Sequence, residues 1–388
     1  MLINHFRREL VMGFFKKIQL SFCWFGGRFK RVEKKVVFSS FYGRGYSDNP
    51  KAIAEALLAA NTDAKLVWLV ANETEAATLP EGIQPCLMDT PQMVHELSTA
   101  KVWVDNCRKY AKHKKNKQFY LQTWHGFPLK RIERDALEAL GADYEQSAEK
   151  DSKQIDLLLS SSAYDTEMLR RCFWYHGTIA EYGTPRNDIF FRANPHLHRK
   201  VREIYDLPAE QKIILYAPTY RADYSTSAYA LDVHRLRAMC SRRFGGDWTV
   251  LVRLHPDVTE LSEELFFYDG ITVLDATMYP DMQELLVASD ILVTDYSSCM
   301  FDFALTGKPC FLFTSDVSDY IKDRNFYFPL QALPFPVADN NPQLLQLVEA
   351  FNPEEYFRKR KAFFSRLAFR EDGQASQRCA QWILEKLG

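Results

Sequence analysis

Short apolar runs, many of them rich in β-branched residues, alternate with helix-length stretches along nearly the whole chain. Val36–Phe41, Lys65–Ala71, Lys101–Asp105, Gln118–Thr123 and Ile155–Ser160 read as strands, with helices over Pro50–Ala60, Pro91–Thr99 and Ala163–Cys172. Runs this apolar are covered on both faces, and their alternation with helices means βαβ units around a mostly parallel sheet. After Tyr182-Gly-Thr-Pro185 the pattern starts again. Lys212–Ala217, Thr249–Leu254, Ile271–Leu274, Ile291–Thr294 and Cys310–Thr314 are strands, and 231–243, 281–288 and 297–306 are helices. At 388 residues the chain exceeds what one core holds, so two doubly wound α/β domains are expected. The boundary falls near 185–195. It divides a basic amphipathic segment at 1–35 and a Rossmann-like domain at 36–190 from a second such domain at 191–388. The helical tail, Pro353–Ser365 and Gln374–Leu387, is long enough to reach back to the first domain.

Composition removes several classes. A net charge of −1 excludes a globally basic nucleic-acid binder. The eight cysteines are scattered with no C-x-x-C pair, which argues for a reducing cytoplasm and against a disulfide framework or a zinc site. No run approaches the roughly 20 apolar residues of a spanning helix. Charge is nevertheless uneven. Residues 1–35 carry nine Lys and Arg against Glu9 and Glu33, and Ile3, Phe6, Leu10, Phe14, Ile18 and Phe22 recur at helical spacing. Such a segment either lies on anionic lipid or packs on its own domain. The basic run Arg108–Lys117 is either a solvated loop or an anion-binding one.

The chemistry-bearing residues gather at strand ends. Asp295-Tyr-Ser-Ser follows the strand Ile291–Thr294, and Ser297 and Ser298 open a helix containing Asp302. Free N–H groups and the positive end of the helix dipole there suit a phosphate, although Ser also serves as a plain N-cap and Asp as an ordinary ion-pair partner. His125 precedes Gly126 at the end of Gln118–Thr123, where an exposed imidazole can act as a general base. Arg253 and His255 share one side of their strand before Pro256, and Thr219 and Arg221 follow the stop at Pro218. Tyr46, Ser47, Asp48 and Asn49 precede Pro50, either as a helix cap or as part of an acceptor site. G-x-G-x-x-G, P-loop and G-x-S-x-G motifs are absent. In two doubly wound domains such strand ends face one another across a cleft.

Five segments, in order, resemble the CDP-glycerol glycerophosphotransferase family, which builds or primes teichoic acids and related capsule polymers. They are Phe41-Tyr-Gly-x-x-Tyr-Ser-Asp-Asn-Pro, Gln122-Thr-Trp-His-Gly-x-Pro-Leu-Lys-Arg-Ile, Ile214-Leu-Tyr-Ala-Pro-Thr-Tyr-Arg, Arg253-Leu-His-Pro and Asp290-Ile-Leu-Val-Thr-Asp-Tyr-Ser-Ser. The resemblance implies a GT-B fold and transfer of a polyol phosphate from a CDP-activated donor to a lipid-linked or polymeric acceptor. His125 would be the base, with Gly126, Lys130 and Arg131 on the acceptor side together with Tyr46 to Asn49. His255 would contact the donor phosphates, alongside Thr219, Arg221, Arg253, Asp295, Ser297, Ser298 and Asp302. With these cations and the helix dipole, and no carboxylate cluster, no metal is expected, nor a cofactor or a nucleic acid; a lipid-linked acceptor and the basic segment 1–35 would place the work at the inner face of an anionic membrane. Phe127 stands where the family commonly has Thr. A nucleotide-sugar glycosyltransferase of GT-B type would present a similar site. A non-catalytic polyanion binder would instead use the 108–117 loop.

Overall fold

The computed structural model describes residues 18–109, 114–219, 221, 229–254, 272–318, 320 and 325–388. Two parallel sheets organise them. The first has the order β3-β2-β1-β4-β5-β6-β7, with β1 at Glu33–Ser39, β2 at Lys65–Val70, β3 at Ile83–Leu87 and β4 at Ala100–Asp105. It is completed by β5 at Phe119–Gln122, β6 at Leu157–Leu159 and β7 at Thr178–Ala180. The second runs β10-β9-β8-β11-β12-β13. Its strands are β8 at Lys212–Tyr216, β9 at Trp248–Val252, β10 at Val273–Asp275, β11 at Ile291–Thr294, β12 at Cys310–Phe313 and β13 at Val337–Ala338. Every strand pairing is parallel.

Both orders are the doubly wound 3-2-1-4-5-6 pattern, with an extra strand on the first, so the GT-B expectation holds. In such sheets the crevice opens where the winding reverses, between β1 and β4 in one half and between β8 and β11 in the other. The strand sequences explain the layering. In β1, Val36 and Phe38 point into one core and Val37 into the opposite one, because successive side chains alternate faces. The first of these cores is covered by Ile53, Ala54 and Leu57 of the helix Asp48–Ala59. It is also covered by Cys379, Ala380, Ile383 and Leu387 of the helix Ala375–Leu387. That last helix, grouped by sequence with 191–388, therefore packs in the first half.

The chain crosses between halves at the 3-10 segment Pro185–Phe191 and returns after the helix Pro353–Leu367, where Phe369 bridges Ser162. Asp188 secures the return: its Oδ1 accepts from the Ala375 N–H at 3.0 Å and its Oδ2 from the Ser376 N–H at 2.7 Å. The halves also touch through a short antiparallel bridge. The Arg131 N–H donates to the Asn325 carbonyl at 2.8 Å and the Tyr327 N–H to the Leu129 carbonyl at 2.8 Å. Phe127, the departure from the family pattern, is buried among Tyr164, Phe301, Phe328 and Phe369. Its ring joins the halves, a place where a threonine would leave a void.

Residues 18–27 form a helix that divides the two readings of the N-terminal segment. Trp24 packs into the first half, and Gly27 lies so close to Ser98 that a Cβ there would stand 2.2 Å from Ser98 Oγ. The other face is bare: Phe22 and Phe25 are 72% and 62% exposed, as is Phe29 in the turn just after the helix, at 79%. Ile3, Phe6, Leu10 and Phe14 lie outside the described residues. No described helix is long and apolar enough to cross a membrane.

Candidate active site

At the β1/β4 crevice the two strand ends are stitched together. The Phe41 N–H donates to Asn106 Oδ1 at 2.9 Å, and Asn106 Nδ2 donates to Ser40 Oγ at 3.2 Å. The Asn106 carbonyl then meets His125 Nδ1 at 2.8 Å. A carbonyl only accepts, so Nδ1 carries the proton and Nε2 of the neutral ring keeps its lone pair. No described residue bonds Nε2. The turn that delivers this ring is strained. Trp124 has φ +51° and Gly126 φ +125°, and a left-handed non-glycine residue costs about 1–3 kcal/mol. Local contacts offset that cost: Gln122 Oε1 accepts from the Trp124 N–H at 2.8 Å, and the indole packs edge-on against Phe173 at 5.0 Å. Loss of hydration holds the His125 pKa below its ordinary value. The Asn106 carbonyl and the Asp48 charge oppose that fall, Arg186 adds to it, and Glu133 opposes it weakly.

The acceptor-side residues separate into two groups. Asp48, at φ +65°, and Asn49 are tied to the His125 turn, since Asn49 Nδ2 donates to the Trp124 carbonyl at 2.9 Å. Tyr46 packs edge-on against Trp68 at 4.7 Å, and Ser47 is the buried residue before the helix Asp48–Ala59; neither side chain is aimed at the imidazole by any contact. Lys130 and Arg131 lie on the antiparallel bridge between halves, with the Lys130 ammonium 5.1 Å from the Tyr320 ring centre.

In the second half the β8/β11 crevice is organised by Asp295. Its carboxylate accepts from the Thr219 N–H at 2.9 Å, from Thr219 Oγ1 at 2.6 Å and from Arg221 Nη2 at 2.8 Å. Arg221 also donates Nε to Asp316 Oδ2 at 2.6 Å and Nη1 to the Thr219 carbonyl at 2.6 Å. Its guanidinium is thus held by the protein, stacked over Tyr296 and Tyr320. Asp316 is pushed up by burial but brought below its ordinary value by the Arg221 hydrogen bond and charge and by Tyr296. Asp302 is likewise engaged: it accepts from Arg186 Nη2 at 2.7 Å, Asn187 Nδ2 at 2.9 Å and Gln283 Nε2 at 3.1 Å.

Arg253 differs. Its Nη1 donates to the Tyr279 carbonyl at 2.5 Å, yet no carboxylate among the described residues lies within ion-pair distance of it. Burial lowers its pKa, the sign of a desolvated cation short of a counter-charge. Ser297 and Ser298 remain half-buried at the start of the helix Cys299–Ala304, and the Ser298 side chain makes no cap hydrogen bond. His255 lies outside the described residues, as do Tyr110–His113 of the basic run. The rest of that run is largely satisfied internally. Arg108 is buried between Glu133 and Asp151, Lys109 pairs with Asp105, and Lys114 pairs with Asp156.

The two crevices meet at Gly126. A Cβ built on it would stand 3.1 Å from Ser298 Oγ and 2.4 Å from Arg186 Nη2. The turn carrying the imidazole thus abuts the turn that opens the second-half helix. Residues 26–385 match the family model described as CDP-Glycerol:Poly(glycerophosphate) glycerophosphotransferase. The chain belongs to that family. It is 32% identical to the teichoic acid poly(glycerol phosphate) polymerase of Staphylococcus epidermidis over 89% of its own length and 49% of the relative. It is also 32% identical to the teichoic acid glycerol-phosphate transferase of Staphylococcus aureus, over 90% and 92% of the two chains. The chain therefore spans about half of the first relative and most of the second. The solved wall teichoic acid polymerase TagF superposes with a TM-score of 0.85 at 30% identity, covering 99% of this chain and 98% of that one. A histidine-to-asparagine variant of TagF has also been solved after a soak with CDPG.

Two residues of this candidate site were not singled out by sequence reasoning. Asn106 meets the imidazole through its main-chain carbonyl, which leaves no signal in residue type, while its side chain ties the strand ends. Arg186 follows Gly183-Thr-Pro185, a segment that reads as a domain boundary and nothing more.

Proposed function

We propose that this protein transfers a polyol phosphate, glycerol phosphate first among the choices, from a CDP-activated donor to a hydroxyl of a lipid-linked or polymeric glycan acceptor. Family membership supports the donor class, and both relatives named above are glycerol-phosphate enzymes. The observation that carries the reading is the meeting of the His125 turn with Ser298 at Gly126. Nε2 of the neutral imidazole takes the acceptor's proton, the freed oxygen attacks the polyol-bearing phosphorus, and CMP leaves. Arg253 offers positive charge to the donor phosphates, with Ser297 and Ser298 as hydrogen-bond donors and His255 as a fourth contact. Asp295, Thr219 and Arg221 keep the strand-end loop in place. The division of labour is that of phosphoryl transfer in general, positioning plus electrostatic stabilisation.

The internal pairing of Arg108, Lys109 and Lys114 supports transfer over the reading of the basic run as a polyanion-binding loop. The enzyme works at the cytoplasmic face of an anionic membrane, where the bare aromatic face of helix 18–27 and its neighbouring basic residues meet lipid.

The test measures CMP release and product length with CDP-glycerol, CDP-ribitol and a nucleotide sugar on a short soluble acceptor. His125→Ala should lose about 10²–10⁴ in rate, the usual worth of a general base, while binding CDP-glycerol nearly as the parent does. Turnover of the sugar nucleotide alone, or parent-level transfer by His125→Ala, overturns the reading.

A further inference from the structure

Arg186 has no part in the reaction as described above, yet its side chain touches both halves of the site, at Asp48 and the His125 carbonyl on one side and at Asp302 on the other. It is buried on the crossing segment Pro185–Phe191. Nη1 donates to Asp48 Oδ2 at 2.5 Å and to the His125 carbonyl at 2.8 Å. Nη2 donates to Asp302 Oδ2 at 2.7 Å, and the Arg186 N–H donates to Asn49 Oδ1 at 3.0 Å. Asp48 belongs to the first half and Asp302 to the helix that begins behind Ser298 in the second. The anchor on the second side is itself braced by Asn187 and Gln283.

A guanidinium between two buried carboxylates also works as simple glue between halves, and a buried ion pair by itself says little about function. Two features of this one go further. One of its donors is spent on the main-chain carbonyl of His125, the residue proposed as the base, and not on a third carboxylate. Gly126, the next residue, has no room for a Cβ because Nη2 would lie 2.4 Å from it. The planar fork therefore fixes the His125–Gly126 peptide from one side and the Ser298 helix from the other. Lysine carries the same charge but has no rigid fork with which to span three acceptors.

We infer that Arg186 is a positioning residue for the transfer step, holding the imidazole of one half at a set distance from the phosphate seat of the other. The inference rests on the reading of His125 as the base. Displacement of a reacting group by about 1 Å costs on the order of 10²-fold in rate, so a clamp of this kind acts on turnover and not on donor affinity.

The experiment compares Arg186→Lys, Arg186→Gln, Asp302→Asn and His125→Ala in steady-state transfer from CDP-glycerol across pH, with folded fraction measured for each. Arg186→Lys should lower kcat per folded molecule by about 10²-fold with the donor KM little changed. Arg186→Gln should show that loss and also move the acidic limb of kcat/KM to higher pH. Of the groups facing the ring, Asp48 and Glu133 would then remain without the opposing guanidinium, while the Asn106 carbonyl stays. An arginine that is only glue lowers the folded fraction but leaves the kcat of the folded molecules and the limb unmoved. Should neither Arg186 variant fold, Asp302→Asn weakens one anchor alone and must reproduce the kcat loss with donor KM retained. Parent-like kcat per folded molecule in the folding variants, or a loss confined to donor KM, overturns the inference. The control keeps the two readings apart. An active His125→Ala removes the base reading, whereas an inactive one beside a normal Arg186→Lys removes only the role of Arg186.

Discussion

Backbone conformation at the two residues flanking His125 shapes this candidate site. Trp124 accepts a left-handed φ so that the chain doubles back, and Gly126 leaves the space that the Arg186 fork occupies. A methyl group at 126 meets both difficulties at once, an unfavourable φ of +125° and the Arg186 Nη2 2.4 Å away. Gly126→Ala should accordingly destabilise the protein by about 1–3 kcal/mol. Its turnover should fall by about 10²-fold as the turn shifts. Thermal denaturation and steady-state kinetics on the same preparation measure both; an alanine variant with parent melting and parent kcat would show that the turn tolerates displacement. His125 was legible in the sequence because its residue type and its glycine neighbour at a strand end speak for themselves. Asn106 was not, because any residue has a carbonyl. Arg186 was not, because its partners Asp48 and Asp302 are remote in sequence and come together only in the fold.

The elements show the same division between what a local pattern reveals and what only assembly decides. Central strands such as β8 and β11 are buried on both faces and read as unbroken apolar runs. The strands that escaped the pattern, β3, β7 and β13, all lie at sheet edges, where half the side chains face water. Pro85 within β3 is tolerated there for the same reason, since an edge strand has backbone N–H groups with no partner to lose. The return crossing near residue 371 carries a titratable group with a consequence for stability. Glu371 accepts from Thr184 Oγ1 at 2.6 Å and from the Thr184 N–H at 3.3 Å. Burial pushes its pKa up to about 8, with the Asp302 and Asp188 charges adding to the rise and the Thr184 hydrogen bonds opposing it. The folded state thus binds this proton more tightly than the unfolded chain, whose value is the ordinary 4.5. The contribution to stability is fully present below that value and is lost as pH rises through about 8. Glu371→Gln, which stays neutral, should melt higher than the parent at pH 8, and the difference should shrink toward zero on acidification. A difference that does not change with pH would mean that Glu371 keeps its charge in the folded protein.

At the scale of the molecule, two doubly wound domains followed from the alternation of elements and the restart after Pro185, and the family resemblance implied their GT-B arrangement. The placement of helix Ala375–Leu387 did not, because an amphipathic helix fits either half and its pattern does not name a partner. The N-terminal segment was similarly ambiguous, and the fold divides it: Trp24 and Gly27 dock inward while Phe22, Phe25 and Phe29 face outward beside exposed Arg28, Lys30, Arg31 and Lys34. Each basic side chain near an anionic surface contributes about 1 kcal/mol, and salt screens it. The protein should therefore co-sediment with anionic but not neutral vesicles, less so at high ionic strength. Phe22→Glu, Phe25→Glu and Phe29→Glu together should release it without lowering transfer to a soluble acceptor. Retention of the triple variant on anionic vesicles would assign lipid contact to a different surface.

The covering of the first sheet by helix Ala375–Leu387 also has a meaning in time. A ribosome makes residues in order, at roughly 5–20 per second, and domains made first generally begin to fold first. Here the face of the first sheet that holds Val36, Phe38 and Leu121 waits for Cys379, Ala380 and Ile383, which are synthesised after every strand of the second sheet. Ile53, Ala54 and Leu57 cover part of that face early, and the remainder stays open to water and to other chains throughout translation of the second half. The half that is made first is therefore the half that is finished last.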